Sequence, residues 1–275
     1  MKLSVITINW NNVKGLEQTM KSVVDQIGVE FEYVVVDGAS TDGSVEVIEK
    51  YAQQRDIKWV SEKDTGIYNA MNKAVKMATG DYIAHINSGD WFVNEHVLSK
   101  LLAELEKFQY PPILFSKIIK VFPDGRHLVS GREPKIYSAR FFFDGTLNHP
   151  GTLIRRSLFD QYGLYDENLR IVSDWKWFMN VIGINEVEVK HCAVRSLYFD
   201  MTGISETNTE LCEKEVSEEI RKTLPTFALQ DYFHYRRDFR LIDRLHRFPW
   251  AFKLVYYLDR ILFVYERHKN NRQKE

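Results

Sequence analysis

Only two cysteines occur in this chain of 275 residues, Cys192 and Cys212, and neither belongs to a Cys-X-X-Cys pair or a Cys/His ligand spacing. That excludes a disulfide framework and a structural zinc site, and a reducing cytoplasm is the expected setting. A surplus charge of one sign is also missing, since 37 Lys and Arg stand against 38 Asp and Glu. Without a general basic field, nucleic acid is not an expected partner. No 18 uncharged apolar residues follow one another: the most apolar stretch, Phe248 to Tyr265, is broken by Lys253, Asp259 and Arg260, so no membrane span is expected. The apolar run at the N-terminus is too short for a secretion signal and leads directly into Asn9, Asn11 and Asn12, so it reads as a buried first strand. Internal repeats and low-complexity tracts are absent, and so are GxGxxG and GxxxxGK[ST] in the loops after the first two strands, which disfavours a dinucleotide fold and a P-loop.

What is present is an ordinary globular balance, 44% apolar and 27% charged, in a chain long enough for one large α/β domain with a helical tail. Strand-like Ser4–Ile8 precedes a helical pattern at Leu16, Met20, Val23, Val24 and Ile27. Tyr33–Val36 precedes a second helix through Val45, Ile48 and Tyr51. A third unit runs from Trp59-Val60 through a helix with Ile67, Met71, Ala74, Val75 and Ala78 on one face, stopped by Gly80, into Tyr82–Ile86. This order predicts a Rossmann-like, mostly parallel sheet flanked by helices. Further on, a helix through Val97, Leu101 and Leu105 precedes Ile113–Phe122 and a turn at Pro123-Asp124-Gly125, and another helix begins near Asp174. We expect a catalytic domain over 1–206 and a helical tail over 207–275. The tail is basic: from Tyr235 to Glu275, eleven Lys and Arg face five Asp and Glu, which leaves the preceding residues acidic.

In such sheets ligands bind at the carboxyl ends of the strands, and polar clusters collect there. The first strand ends in Asn9-Trp10-Asn11-Asn12 and the second in Asp37-Gly38-Ala39-Ser40-Thr41-Asp42. Asp37 can accept hydrogen bonds from a nucleobase imide or a ribose hydroxyl. Asp37 and Asp42 can equally form turns or cap the next helix. Asp64 stands at the start of the third helix, with Asn69, Asn72 and Lys73 on its early turns, where an N-cap is the plain alternative. The last cluster, Asn87-Ser88-Gly89-Asp90, ends in an acid suited to Mg²⁺ or Mn²⁺ bridging two phosphates.

These clusters, in this order, resemble the family-two glycosyltransferases, which have the A-type nucleotide-diphospho-sugar transferase fold. The resemblance is carried by Ser4-Val5-Ile6-Thr7-Ile8-Asn9-Trp10-Asn11 and by Val35-Val36-Asp37-Gly38-Ala39-Ser40-Thr41-Asp42-Gly43-Ser44, and it covers roughly residues 1 to 205. It implies that Thr7 and Asn9 line the base pocket, that Asp37 meets the base, and that Asp64 lies beside base and ribose with Lys73 near the diphosphate. The family's Asp-X-Asp falls on Asn87-Ser88-Gly89. Glycine thus stands where the usual metal ligand would be, Asp90 is left as the metal ligand, and Asn87 and Ser88 contact ribose or phosphate.

The family's catalytic carboxylate matches Asp174, in Ser173-Asp174-Trp175, which the resemblance makes the general base for an acceptor hydroxyl. Alone it would read as a helix cap. His149-Pro150-Gly151-Thr152 matches a segment that reaches the donor sugar or the acceptor, although a lone histidine is as readily structural. Asp200 to Ser205 resembles a loop that folds over the diphosphate, with Ser205 available to a phosphate. The implied function is an inverting glycosyltransferase using a nucleotide sugar, UDP favoured, on a glycan or glycolipid acceptor in bacterial surface polysaccharide synthesis. The rivals are a sugar nucleotidyltransferase, whose Gly-rich basic loop is missing after the first strand, and a degenerate nucleotide-sugar-binding scaffold. On the tail, Trp250, Leu254, Leu258, Ile261 and Tyr265 share one helical face beside Lys253, Arg260 and Arg267. That face suits a membrane interface at the inner side of the cell membrane, or packing on the catalytic domain or in a homodimer.

Overall fold

The computed structural model describes residues 1–131, 133–134, 136–203 and 207–272. The chain divides into two compact units, Met1–Glu219 and Ile220–Glu275. This division lies thirteen residues beyond the expected boundary at 206, because Glu215 and Glu219 bond to residues of the first unit.

The first unit is built on one nine-stranded sheet. Its parallel part comprises β1 (Leu3–Asn9), β2 (Phe31–Asp37), β3 (Ile57–Ser61) and β4 (Tyr82–His85), ordered β3-β2-β1-β4. β1 and β2 are buried at every position, so they read as continuous apolar runs, the expected pattern for strands covered on both faces. The connecting helices are α1 (Val13–Val24), α2 (Ser44–Ala52) and α3 (Ile67–Met77). Each is amphipathic; α1 buries Leu16, Met20 and Val23 at helical spacing, with Asn12 capping through Gly15 N at 3.2 Å. α3 ends before Gly80, with Ala78 already extended. Gly80 is needed for a different reason: a Cβ there would stand 2.6 Å from Ser4 Oγ and 2.8 Å from Ser4 N.

Beyond β4 the sheet becomes mixed. β5 (Trp91–Phe92), α4 (Val97–Lys107), β6 (Ile113–Val121), β7 (His127–Ser130), α5 (Ala139–Asp144), β8 (Thr152–Arg155), α6 (Ser157–Tyr162), α7 (Ser173–Phe178) and β9 (Val189–Asp200) follow in sequence. β8 lies antiparallel between β4 and β6, β7 closes the expected hairpin with β6, and β9 runs parallel to β6 while pairing β5 antiparallel. The twelve-residue β9 has no clear strand pattern in the sequence, because its burial alternates only in part. α8 (Thr209–Thr223) follows.

At the edge away from the strand C-termini, Glu32 of β2 gathers donors from neighbouring elements. Ser4 Oγ of β1 donates at 2.5 Å, Thr79 N and Oγ1 at 2.7 and 2.9 Å, and Lys58 of β3 also bonds to it. Burial pushes this carboxyl up, but the donors together outweigh it and bring it to about 2.

The second unit contains α9 (Thr226–His246) and α10 (Pro249–Arg272). Among the described residues no helix is long and apolar enough to cross a membrane.

Candidate active site

The register of the parallel strands sets the site. Asn9 pairs with Asp37 across β1 and β2, and Asp37 with Ser61 across β2 and β3, so three polar residues form one row at the strand ends. Asp37 Oδ1 accepts from Asn9 Nδ2 at 2.8 Å and Ser40 Oγ at 2.6 Å, and Oδ2 accepts from Ser40 N at 2.9 Å and Ser61 Oγ at 2.6 Å. Burial raises this carboxyl, and the four donors outweigh it, holding it below the ordinary carboxylate range. With 0% exposure and its lone pairs taken, Asp37 in this conformation shapes the loop instead of offering an oxygen to a base. Asn11 and Ala39, both at positive φ, hold the two facing loops, and Ser40 Oγ and Asn11 Oδ1 receive the N–H groups of Asn11 and Thr41. Asp42 accepts from Val13 N and from Ser44, so it is a turn residue that ties the start of α1 to the loop before α2, whose cap is Gly43.

Thr7 also lies under the site floor, its hydroxyl bonded to Ile86 O at 2.8 Å and beside Tyr33 Oη at 3.0 Å. It is fully buried, so it does not line a pocket. Over this row stand Gly38, which is buried, Asp64, which is half-buried, and Trp10, which is exposed. A Cβ on Gly38 would stand 3.1 Å from both Asp64 Oδ2 and Trp10 Cδ1, and the Trp10 indole is 72% exposed. Asp64 is not the cap of α3, a position taken by Gly66; it pairs with Lys73 at 2.6 Å. Lys73 also meets Glu62 at 2.7 Å. Burial opposes the ammonium, and the two carboxylates outweigh that and hold it above its ordinary value. Lys73 is thus an already neutralised cation at the Asp64 loop, where a role toward a diphosphate had been expected.

After β4, Gly89 takes φ +106°. A Cβ there would stand 3.5 Å from Asn12 Nδ2 and 3.6 Å from Asp200 Oδ2. Asp90 is buried, and its Oδ1 accepts from Asp200 N at 3.0 Å. Burial and the Asp200 charge raise the Asp90 carboxyl to about 8, against the pull of that N–H. Among the described residues no group of three His, Cys, Asp or Glu is placed to hold a metal. Asp90 and Asp200 are nevertheless neighbours, with the Asp200 carboxylate bonded to Thr202, and such a pair of acids suits Mg²⁺ or Mn²⁺, which take one or two carboxylates and complete their shells with phosphate and water. Ser88 Oγ lies 3.3 Å from Asn12 O.

Asp174 sits in the first turn of α7 and does not cap it, since Val172 holds that position. Tyr68 Oη of α3 lies 2.8 Å from Asp174 Oδ1 and 2.5 Å from Ile171 O. The preceding loop is clamped from the other side by Glu215 of α8, which accepts from Arg170 N, Ile171 N and Val172 N at 2.8, 3.0 and 3.3 Å. Asn72 exchanges hydrogen bonds with the backbone of Tyr165, and Asn69 and Asn72 both donate to Glu167. Tyr68 and Glu215 escape a sequence reading: one falls on an apolar helix face, the other in a charged run that looks solvated.

His149 is buried, with Nε2 2.8 Å from Tyr165 Oη, and its ring lies 4.4 Å from that of His85, tilted by 40°. Burial pushes both imidazoles down; Asp174 partly offsets this at His149, while His149 adds to it at His85. His149 therefore stands behind the site as a neutral core residue, where contact with donor or acceptor had been expected. Ser205 lies outside the described residues.

Five buried side-chain polar atoms have no partner among the described residues, and three of them lie at or just beyond the ends of β1 and β4: Asn9 Oδ1, His85 Nδ1 and Asn87 Oδ1; a fourth, Ser173 Oγ, immediately precedes Asp174. A native fold leaves few such groups, so their gathering at the strand ends marks a place built for a polar ligand.

The model of glycosyl transferase family 2 matches residues 4–163. An uncharacterized glycosyltransferase of Mycobacterium tuberculosis is 28% identical over 209 residues, covering 74% of this chain and 76% of the relative. The PGL/p-HBAD biosynthesis glycosyltransferase of Mycobacterium bovis is 25% identical over 208 residues, 74% of this chain and 79% of its own. Among solved structures, Staphylococcus aureus TarS 1–349 in complex with UDP-GlcNAc superposes with a TM-score of 0.63 at 22% identity, over 80% of this chain and 66% of that one. The chain spans 42% of the longer TarS chain. These likenesses show the A-type glycosyltransferase fold.

Proposed function

Because the chain belongs to glycosyl transferase family 2 and is a glycosyltransferase, we propose a particular reaction for it: inverting transfer of a sugar from a nucleotide diphosphate to an acceptor hydroxyl. The donor is a UDP-sugar and the acceptor a glycan or lipid-linked glycan. The observation that carries this reading is the set of unpartnered buried polar atoms: Asn9 Oδ1 and Asn87 Oδ1 stand at or just beyond the ends of β1 and β4, and Ser173 Oγ immediately precedes Asp174. TarS, a poly(ribitol-phosphate) beta-N-acetylglucosaminyltransferase, supports UDP as the nucleotide, since its structures hold UDP and UDP-GlcNAc.

In this reading the base and ribose lie against Gly38, Trp10 and Asp64, and Asn9, Asn87 and Ser88 meet ribose and phosphate. Asp37 holds their loop. Asp174 takes the proton of the acceptor hydroxyl as that oxygen attacks the anomeric carbon from the face opposite the diphosphate. The carbon–oxygen bond to the diphosphate breaks, its electron pair leaves with the nucleotide, and one in-line displacement inverts the centre. Asp90, with Asp200 beside it, would hold a divalent cation, which supplies charge neutralisation to the leaving diphosphate when bound.

The tail completes the proposal by bringing the enzyme to an anionic membrane. At 100° per residue, α10 carries Val264, Tyr257, Trp250, Ile261, Leu254, Tyr265, Leu258, Leu262 and Val255 over about half its circumference, with Lys253 and Arg260 on one border. All nine are exposed, Trp250 by 70% and Tyr265 by 66%. An arc this wide exceeds a coiled-coil seam and suits a helix lying in a lipid interface, and the excess of basic residues in the tail complements anionic headgroups.

The test is a screen of nucleotide sugars for thermal stabilisation, followed by transfer to glycan acceptors and assignment of the product anomer by NMR. Selective stabilisation by UDP-sugars and an inverted linkage are expected. Stabilisation by another base would correct the donor, and a retained anomer would overturn the mechanism.

A further inference from the structure

One contact ties the nucleotide-side loops to the opposite half of the site. Tyr68 follows Asp64 by four residues and Gly66 by two, so the segment that carries Asp64 also carries the phenol that meets Asp174. That phenol is 4% exposed and has one proton for two acceptors, Ile171 O at 2.5 Å and Asp174 Oδ1 at 2.8 Å. A carbonyl can only accept, and so can an ionised carboxylate. The single proton is therefore shared between the backbone just before α7 and the side chain in its first turn. No described residue donates to the other oxygen of Asp174.

We propose that Tyr68 is a positioning residue for the base: it fixes one oxygen of Asp174 and leaves the other turned free to take the acceptor's proton. This rests on Asp174 being the base. The phenol keeps its own proton throughout; when Asp174 gains the acceptor's proton, the Tyr68 hydrogen bond passes wholly to Ile171 O, which is the shorter contact. Among the described residues no cation is paired with the Asp174 carboxylate. Tyr68 faces it from α3, Tyr165 and His149 approach from behind, and Lys176 on the same helix is bound to Asp166 and Glu219. The His85 ring lies against those of His149 and Tyr165.

The experiment compares Tyr68→Phe, Asp174→Asn and the native enzyme in kcat, donor KM and the pH dependence of kcat, with donor affinity measured by calorimetry. Phenylalanine keeps the ring in the core and deletes only the hydroxyl. Tyr68→Phe should lower kcat about tenfold, leave donor affinity within twofold, and move the acid limb of kcat to higher pH, because losing a donor disfavours the ionised carboxylate. An unmoved acid limb with native kcat overturns the proposal, as does a drop in melting temperature with unchanged kcat. Asp174→Asn separates the two readings. If it keeps native turnover, the base assignment itself falls; if it loses turnover while Tyr68→Phe behaves as native, only the positioning role falls.

Discussion

The carboxylate of Asp200, at the end of β9, stands 3.6 Å from the place a Cβ on Gly89 would occupy. An acid arriving from a strand more than a hundred residues later thus lies beside the glycine of the loop after β4. If the pair Asp90 and Asp200 holds a divalent cation, Mn²⁺ with UDP should raise the melting temperature above the effect of UDP alone. Asp200→Asn and Asp90→Asn should each remove that increment, and EDTA should abolish transfer. Full transfer in EDTA would make the enzyme metal-independent.

Asp37 is satisfied by four internal donors, so its replacement acts through the loop it holds. Asp37→Asn puts an amide where only acceptors fit and leaves at least one buried donor without a partner, at a cost of about 1–3 kcal/mol. Chemical denaturation should show that loss, and calorimetry should show weaker UDP binding. A stable variant with native affinity would contradict the network.

These two sites show how far the sequence carries. Strand-end placement makes Asn9, Asp37, Asp64 and Asp90 legible, because alternation of apolar runs with helices dictates a parallel sheet and its ligand edge. It does not say which side chains turn inward. β1 is buried on both faces, so nothing in its pattern separates Thr7, under the floor, from Asn9 at the edge. On α3 helical spacing predicts Ile67 on the apolar face, whereas Tyr68 is the buried residue, because its hydroxyl finds Ile171 O and Asp174 across the site. The placement of Asp200 beside Gly89 depends on the pairing of β9 with β6 and β5, which is long-range information.

Glu32 gives the fold an acid-sensitive fastening. Its folded value of about 2 lies below the ordinary 4.5, so it contributes stability above pH 4.5 that is lost as pH falls toward 2. Glu32→Gln should therefore melt at lower temperature than the native protein at pH 7, with the difference closing as pH falls to about 2. Other depressed carboxyls, Asp37 among them, unfold both proteins in acid, so the quantity read is the difference between the two melting curves. A deficit that stayed constant with pH would mean that packing, not charge, accounts for the site.

The tail prediction separates lipid from protein as the occupant of α10. A chain ending at residue 247 lacks the whole helix and its exposed apolar arc while keeping every residue of the first unit. The native protein should sediment with vesicles containing anionic phosphatidylglycerol, and the shortened one should remain in the supernatant. Raising the salt from low ionic strength should weaken binding without abolishing it, because headgroup attraction is screened and apolar insertion is not. Substituting Lys253 and Arg260 by Glu should reproduce the low-affinity state at low salt, while Trp250→Ala should lower binding at every salt concentration. If instead the native protein ignores vesicles and light scattering shows it falling from dimer to monomer on truncation, the arc is an interface between copies of the chain and the membrane reading is lost.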